Sequence, residues 1–234
     1  MQPAPWLFDE TAHAGREHLD EAYVDAYDRK SAYDPTHDVT RLRELGLTGS
    51  STVVDMGSGT GLLALAAAPF CRRVVAVDVS APMLEVLETR IRQRGLTNVE
   101  CVRAGFLTYA HRGRPADFIC CRHALHHLPD FWKAIALTRI ATVLRPGGVF
   151  WMRDLMYSFD PLETDRLIEE WLARASARPD VGWTRAELET HVREEHSTFT
   201  WLFDSMLERA GLKIRERECS DSRIYATYTC VRVR

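Results

Sequence analysis

The ten residues Val53-Val54-Asp55-Met56-Gly57-Ser58-Gly59-Thr60-Gly61-Leu62 constrain this chain more than any other stretch. Small apolar residues suited to a buried strand run into three alternating glycines, and then into the helix-forming run 62–68. A strand, a tight turn and a helix are predicted in immediate succession. Glycine is needed where a backbone takes positive φ or lets a ligand approach closely, so the turn is a candidate ligand loop.

The spacing narrows the ligand. A dinucleotide fingerprint places its third glycine three residues after the second, but position 62 is Leu62 and the glycine falls one residue early, at Gly61. Asp55 adds a carboxylate that would repel a pyrophosphate and suit an ammonium or hydroxyl group. A cationic, phosphate-free nucleoside fits better than NAD. These residues resemble the first motif of the class I S-adenosylmethionine (SAM) dependent methyltransferases, of the small-molecule type found in ubiquinone and menaquinone biosynthesis. The resemblance implies an α/β fold with a Rossmann-like, mostly parallel seven-stranded sheet, helices on both faces and a C-terminal antiparallel hairpin. It also implies a helical N-terminal lid and SAM as the cofactor.

The order of elements fits one such domain over 1–234. Strands are predicted at 52–56, 73–79, 99–104, 116–121 and 149–153, alternating with helices, which indicates a parallel sheet with right-handed crossovers. Asp38 is expected to cap a helix ending at Gly46. Ser80 caps one over 81–94 that stops at Gly95, and Asp130 opens another. After strand five the rhythm changes: 161–176 and 184–211 read as helices with no strand between them, and Thr184 with Glu187 reads as a capping box. Strands at 212–218 and 224–233, joined by Ser220-Asp221-Ser222, form a hairpin. The aromatic segment 1–37, with Tyr23 and Tyr27 on one helix face, is either a lid over the cofactor or an extra packed helix. The insertion 155–200, with Trp171, Trp183 and, just beyond it, Trp201, is expected to shape the acceptor pocket.

Composition restricts the partners. With 33 acidic against 30 basic residues and a net charge of -3, the chain has no electrostatic footprint for nucleic acid, and a small-molecule acceptor is expected. No stretch approaches the ~20 apolar residues of a membrane span, and 1–10 lacks a leader pattern, so a cytoplasmic location is expected. Six cysteines without a C-x-x-C pair read as thiols in a reducing compartment. Oligomeric state is not legible.

Ligands of open α/β sheets bind beyond the carboxyl ends of the strands. Strand one supplies Asp55, Gly57, Ser58, Gly59 and Gly61, and strand two Asp78, whose carboxylate can accept both ribose hydroxyls. By resemblance Tyr27, Val79 and Met83 join the cofactor site. After strand three the family most often has an Asp near the adenine amino group, but this chain has Gly105 and Phe106; Phe106 either flanks the adenine or is a core aromatic. The stretch Arg122-His123-Ala124-Leu125-His126-His127-Leu128 resembles the family's segment after strand four. Arg122 or His123 is expected at the methionine end of SAM, and His123 or His126 as a general base. No metal is expected, because no carboxylate accompanies the three histidines in sequence and the side chains of His126 and His127 should diverge. Asp154, after strand five, is expected at the pocket mouth as substrate anchor or base, or as a turn cap.

The expected activity is methyl transfer to an oxygen or nitrogen of a small molecule. The alternatives are a methyltransferase acting on tRNA or protein, and a non-catalytic SAM-binding regulatory protein.

Overall fold

A computed structural model describes residues 4–233, apart from the side chains at 16, 17, 21–23, 25 and 26. Two N-terminal helices, α1 (Glu21–Ser31) and α2 (Thr36–Glu44), precede the alternating core. The core runs β1 (Thr52–Met56), α3 (Leu62–Ala67), β2 (Arg73–Asp78), α4 (Ala81–Arg94), β3 (Val99–Arg103), β4 (Ala116–Arg122), α5 (Asp130–Val143) and β5 (Leu144–Tyr157). There follow α6 (Thr164–Leu172), α7 (Arg185–Glu194), β6 (Thr198–Phe199), α8 (Thr200–Arg209), β7 (Leu212–Cys219) and β8 (Tyr225–Arg232).

The sheet order is β3-β2-β1-β4-β5-β8-β7, and the two-residue β6 pairs with β5. The first five of these strands are parallel and β8 and β7 antiparallel, as expected. Strands β1 and β2 are buried almost throughout, because helices cover both faces. One apolar cluster lies on each side of the sheet: Val54, Ile119, Phe150 and Tyr228 belong to one, and Val53, Val74, Phe118 and Trp151 to the other. The order reverses between β1 and β4, and the carboxyl ends of these strands are where the site lies. Among the described residues no helix is long and apolar enough to cross a membrane.

Several local expectations hold. Ser80 accepts the Met83 N–H at 3.2 Å, Gly95 closes α4 at φ +63°, and the Thr184–Glu187 capping box is present. Others need correction. Asp38 lies inside α2 and accepts the Tyr33 hydroxyl at 2.7 Å, while Asp34 accepts the Thr36 N–H ahead of it. The helix expected over 184–211 is two helices, because residues 198 and 199 pair with Met156 and Tyr157 of an elongated β5. That elongation carries Asp154 inside the strand instead of beyond it.

Candidate functional site

At the end of β1 the chain turns through Gly57, Gly59 and Gly61 with φ of +72°, +53° and +82°, values that a side chain would strain. Gly57 also has no room for one, since a β-carbon there would overlap that of Ala124. The carboxylate of Asp78, at the end of β2, fixes this loop: one oxygen accepts the Gly59 N–H at 2.7 Å and the other the Ser80 N–H at 2.8 Å. Each oxygen retains a lone pair for a further donor. Burial pushes the Asp78 carboxyl upward against these hydrogen bonds.

A pocket opens over this loop. Gly57, Gly59, Asp78, Val79, Met83, Gly105, Phe106, Arg122 and His123 line it, and so does Tyr27 from α1. Asp55, Ser58 and Gly61 do not; they stand behind the wall. Asp55 is almost fully buried, its Oδ2 has no hydrogen-bond partner, and burial raises it to about 7. It is not among the residues that line the pocket. Gly61 begins α3 against Leu87.

The N-terminal segment contributes Glu10, Ala14, His18 and Tyr27 to the lining of this pocket. Asp28 ties α1 down by accepting the Thr60 hydroxyl at 2.6 Å and pairing with Arg90 at 2.6 Å. Tyr23, expected to share a face with Tyr27, has a side chain outside the described residues.

A second, larger chamber adjoins the first and shares His18, Tyr27, Arg122 and His123 with it. Trp171, Trp183 and Tyr225 supply its aromatic wall. Trp201 does not take part: it is exposed and stacks on Phe199. Arg122 lies 3.7 Å over the Tyr33 ring and 3.4 Å from Asp38, so its guanidinium is held at the junction.

The histidines after β4 differ sharply from one another. His123 has φ +50°, an unusual conformation for a non-glycine residue. Its Nδ1 is buried without a hydrogen-bond partner, and burial and the neighbouring Arg122 press its pKa down to about 3, so the ring is neutral. His126 is the reverse. Burial alone would lower it, but Nδ1 lies 2.5 Å from Asp154 and Nε2 2.8 Å from Glu195, and these carboxylates raise it to about 10. Its ring is an imidazolium and cannot take a proton at neutral pH.

Asp154 is fully buried and not at the pocket mouth. Its oxygens accept the N–H groups of Leu125, His126 and Leu155 in addition to the His126 ring. The carboxylate is held well below its usual range despite burial. It orients the turn and the ring of His126 and is out of reach of an acceptor molecule.

His126 and His127 do not diverge: their ring centroids lie 4.3 Å apart, because the 3-10 turn Leu125–His127 brings both toward Glu195. Glu195, absent from the sequence-level candidates, also pairs with His191 at 2.9 Å. His126, His127 and Glu195 thereby bring three ligand-capable atoms within 4.8 Å of one another. The carboxylate missing from the local sequence arrives from just after α7. No local signal marks Glu195, since glutamate there reads as part of a solvated helix end.

Comparison with known proteins agrees with this geometry. Residues 53–148 match the family model described as a methyltransferase domain. An uncharacterized methyltransferase of Bacillus subtilis is 32% identical over 110 residues, covering 47% of this chain and 43% of that protein. A ubiquinone biosynthesis O-methyltransferase of Cupriavidus pinatubonensis is 32% identical over 129 residues, covering 52% of this chain and 50% of that protein. The chain thus spans about half or less of the length of these curated relatives.

Among solved structures, a SAM-dependent methyltransferase from Aquifex aeolicus superposes with a TM-score of 0.61 at 18% identity, covering 97% of this chain and all of that one. Magnesium protoporphyrin IX methyltransferase from Synechocystis, solved with SAM bound, superposes with a TM-score of 0.66 at 12% identity, covering 98% and 100%. Residues 53–148 are thus similar to a methyltransferase domain, and the chain shares its fold with these solved structures.

Proposed function

We propose that this protein transfers a methyl group from SAM to an oxygen or nitrogen nucleophile of a small molecule. The observation that carries the reading is the pair of adjoining chambers sharing His18, Tyr27, Arg122 and His123, one over the glycine loop and one walled by aromatic rings. A methyl donor and an acceptor need to meet at one junction.

The first chamber fits SAM on its own chemistry. Asp78 keeps lone pairs for the ribose hydroxyls, and Val79 and Met83 offer an apolar face for a base. When bound, SAM supplies an electrophilic methyl on a sulfonium. What the protein must add is proximity, alignment and exclusion of water, for which effective molarity provides the largest share of the rate.

His123 is the group suited to handle the acceptor's proton: it is neutral and lines both chambers, with Nδ1 turned to within 3.9 Å of buried Asp154, which leaves Nε2 as the ring nitrogen for an acceptor. With its pKa near 3 it orients an acceptor O–H or N–H by accepting a hydrogen bond, and takes the proton as positive charge develops on the nucleophile. Asp154 and His126 act behind it as positioning residues. We read the His126–Glu195 cluster as an ion-pair network and not a metal centre, because His126 is already a cation hydrogen-bonded to Asp154 through Nδ1 and ion-paired with Glu195 on its Nε2 side.

The ubiquinone O-methyltransferase relative and the aromatic wall favour a planar, hydroxylated acceptor. The test is calorimetry with SAM and S-adenosylhomocysteine, followed by turnover against phenols, catechols, amines and carboxylates. Binding without turnover on any acceptor would favour a regulatory SAM binder, and methylation of tRNA or protein alone would overturn the small-molecule reading.

A further inference from the structure

Glu10, in the segment before α1, reaches the carboxyl end of β3. Its Oε2 accepts the Leu107 N–H at 3.0 Å, and the Phe106 backbone also bonds to the carboxylate. Its Oε1 is buried and has no partner. A buried carboxylate oxygen left unsatisfied costs free energy that a ligand donor can recover.

Gly105 makes room for it. A β-carbon at position 105 would overlap the Glu10 carboxyl. Unlike the three loop glycines, Gly105 has no positive φ that would demand a glycine. Its backbone conformation is one that any residue adopts, so what its missing side chain provides here is the space that Glu10 fills.

The same chamber is lined by Asp78, at the proposed ribose position, by Glu10, and by the apolar groups of Val79, Met83, Ala104 and Phe106. A flat base extending from a ribose on Asp78 would lie in this apolar slot with its edge toward Glu10. We propose that Glu10 reads the exocyclic amino group of the adenine through Oε1, so that the N-terminal segment supplies the acid that the end of β3 lacks. The inference rests on the reading of this chamber as a SAM site.

Recognition of this kind is selective. Burial raises the Glu10 carboxyl to about 7, so the discrimination is read at pH ~8.5, where an amino group donates to the carboxylate and the 6-oxo group of hypoxanthine sets an acceptor against it. It also makes the N-terminal segment part of the ligand contact as well as a cover.

The test is calorimetric binding of S-adenosylhomocysteine and S-inosylhomocysteine to the full chain, with Glu10→Gln and Glu10→Ala. The wild type is expected to prefer the adenosyl compound by roughly 10- to 100-fold, the range of one charge-assisted hydrogen bond. Glu10→Gln, whose amide can both donate and accept, should bring the two within about threefold. Glu10→Ala should weaken the adenosyl compound by roughly tenfold or more. Wild-type discrimination kept in both variants would overturn the assignment of Glu10 and leave the SAM site standing. Failure of the wild type to bind either compound would overturn the SAM reading itself, and this inference with it.

Discussion

His126, clamped between Asp154 and Glu195, makes stability depend on pH in a way that isolates one residue. Its folded pKa of about 10 lies above the unfolded value of about 6.5. The stability this gives is therefore fully present below pH ~6.5 and is lost as the pH rises toward 10, with a slope of about 1.4 kcal/mol per pH unit. Other groups set the window. Neutral His123 and His127 tilt the curve the opposite way near the unfolded histidine value, and the buried thiols of Cys120 and Cys121, raised by burial, add a fall of their own above ~8.5. Between pH 7 and 8.5 His126 should dominate, and wild-type stability should fall by about 2 kcal/mol because of it. Urea denaturation followed by circular dichroism at pH 7.0, 7.5, 8.0 and 8.5 measures this for the wild type and His126→Gln. The variant should be less stable at pH 7 and fall by less than about 1 kcal/mol over the window, the part left by Asp55 and Glu10, whose carboxyls burial raises to about 7. A slope equal to that of the wild type would refute the clamp. Asp154→Asn, which leaves the imidazolium with a single carboxylate, should cost about 3–5 kcal/mol at pH 7.

Three further outcomes are expected. Asp78→Ala should weaken S-adenosylhomocysteine binding by roughly 100-fold, since about 1.5–3 kcal/mol attaches to each hydrogen bond made by a charged group; native affinity in calorimetry would contradict the ribose assignment. His123→Asn should lower kcat by roughly 100-fold, the lower end for a single acid–base group, with cofactor affinity within about threefold; unchanged kcat would remove His123 from the proton path. Deleting residues 1–33 removes Glu10, His18, Tyr27 and the Asp28 tie to Thr60 and Arg90, and should weaken the same binding by roughly tenfold or more; unchanged affinity would sink the lid reading.

Much of the cofactor chamber was legible because its parts are local. Positive φ at Gly57, Gly59 and Gly61, an acid at the end of a β-branched strand and a serine cap all leave marks within a few residues of where they act. Asp55 was misplaced for the same reason: proximity in sequence put it in the loop, while the pleat of β1 turned its carboxylate behind the wall toward Ala64. Asp154 was misplaced because pairing with β6 and β8 extends β5 past it, and such pairing depends on distant strands.

By itself, then, the sequence determined the parallel α/β sheet, the glycine loop and the acid at Asp78, since hydrophobic period and glycine conformation are properties of neighbouring residues. Tertiary structure alone decided how the charges meet. Glu195 arrives from beyond α7 to fix His126 as a cation, and Glu10 crosses 97 residues of chain to bond Leu107 above Gly105. Neither glutamate differs in its local pattern from a solvated surface residue. Each becomes distinctive only where packing takes its carboxylate out of water, and a buried charge then has to find a donor.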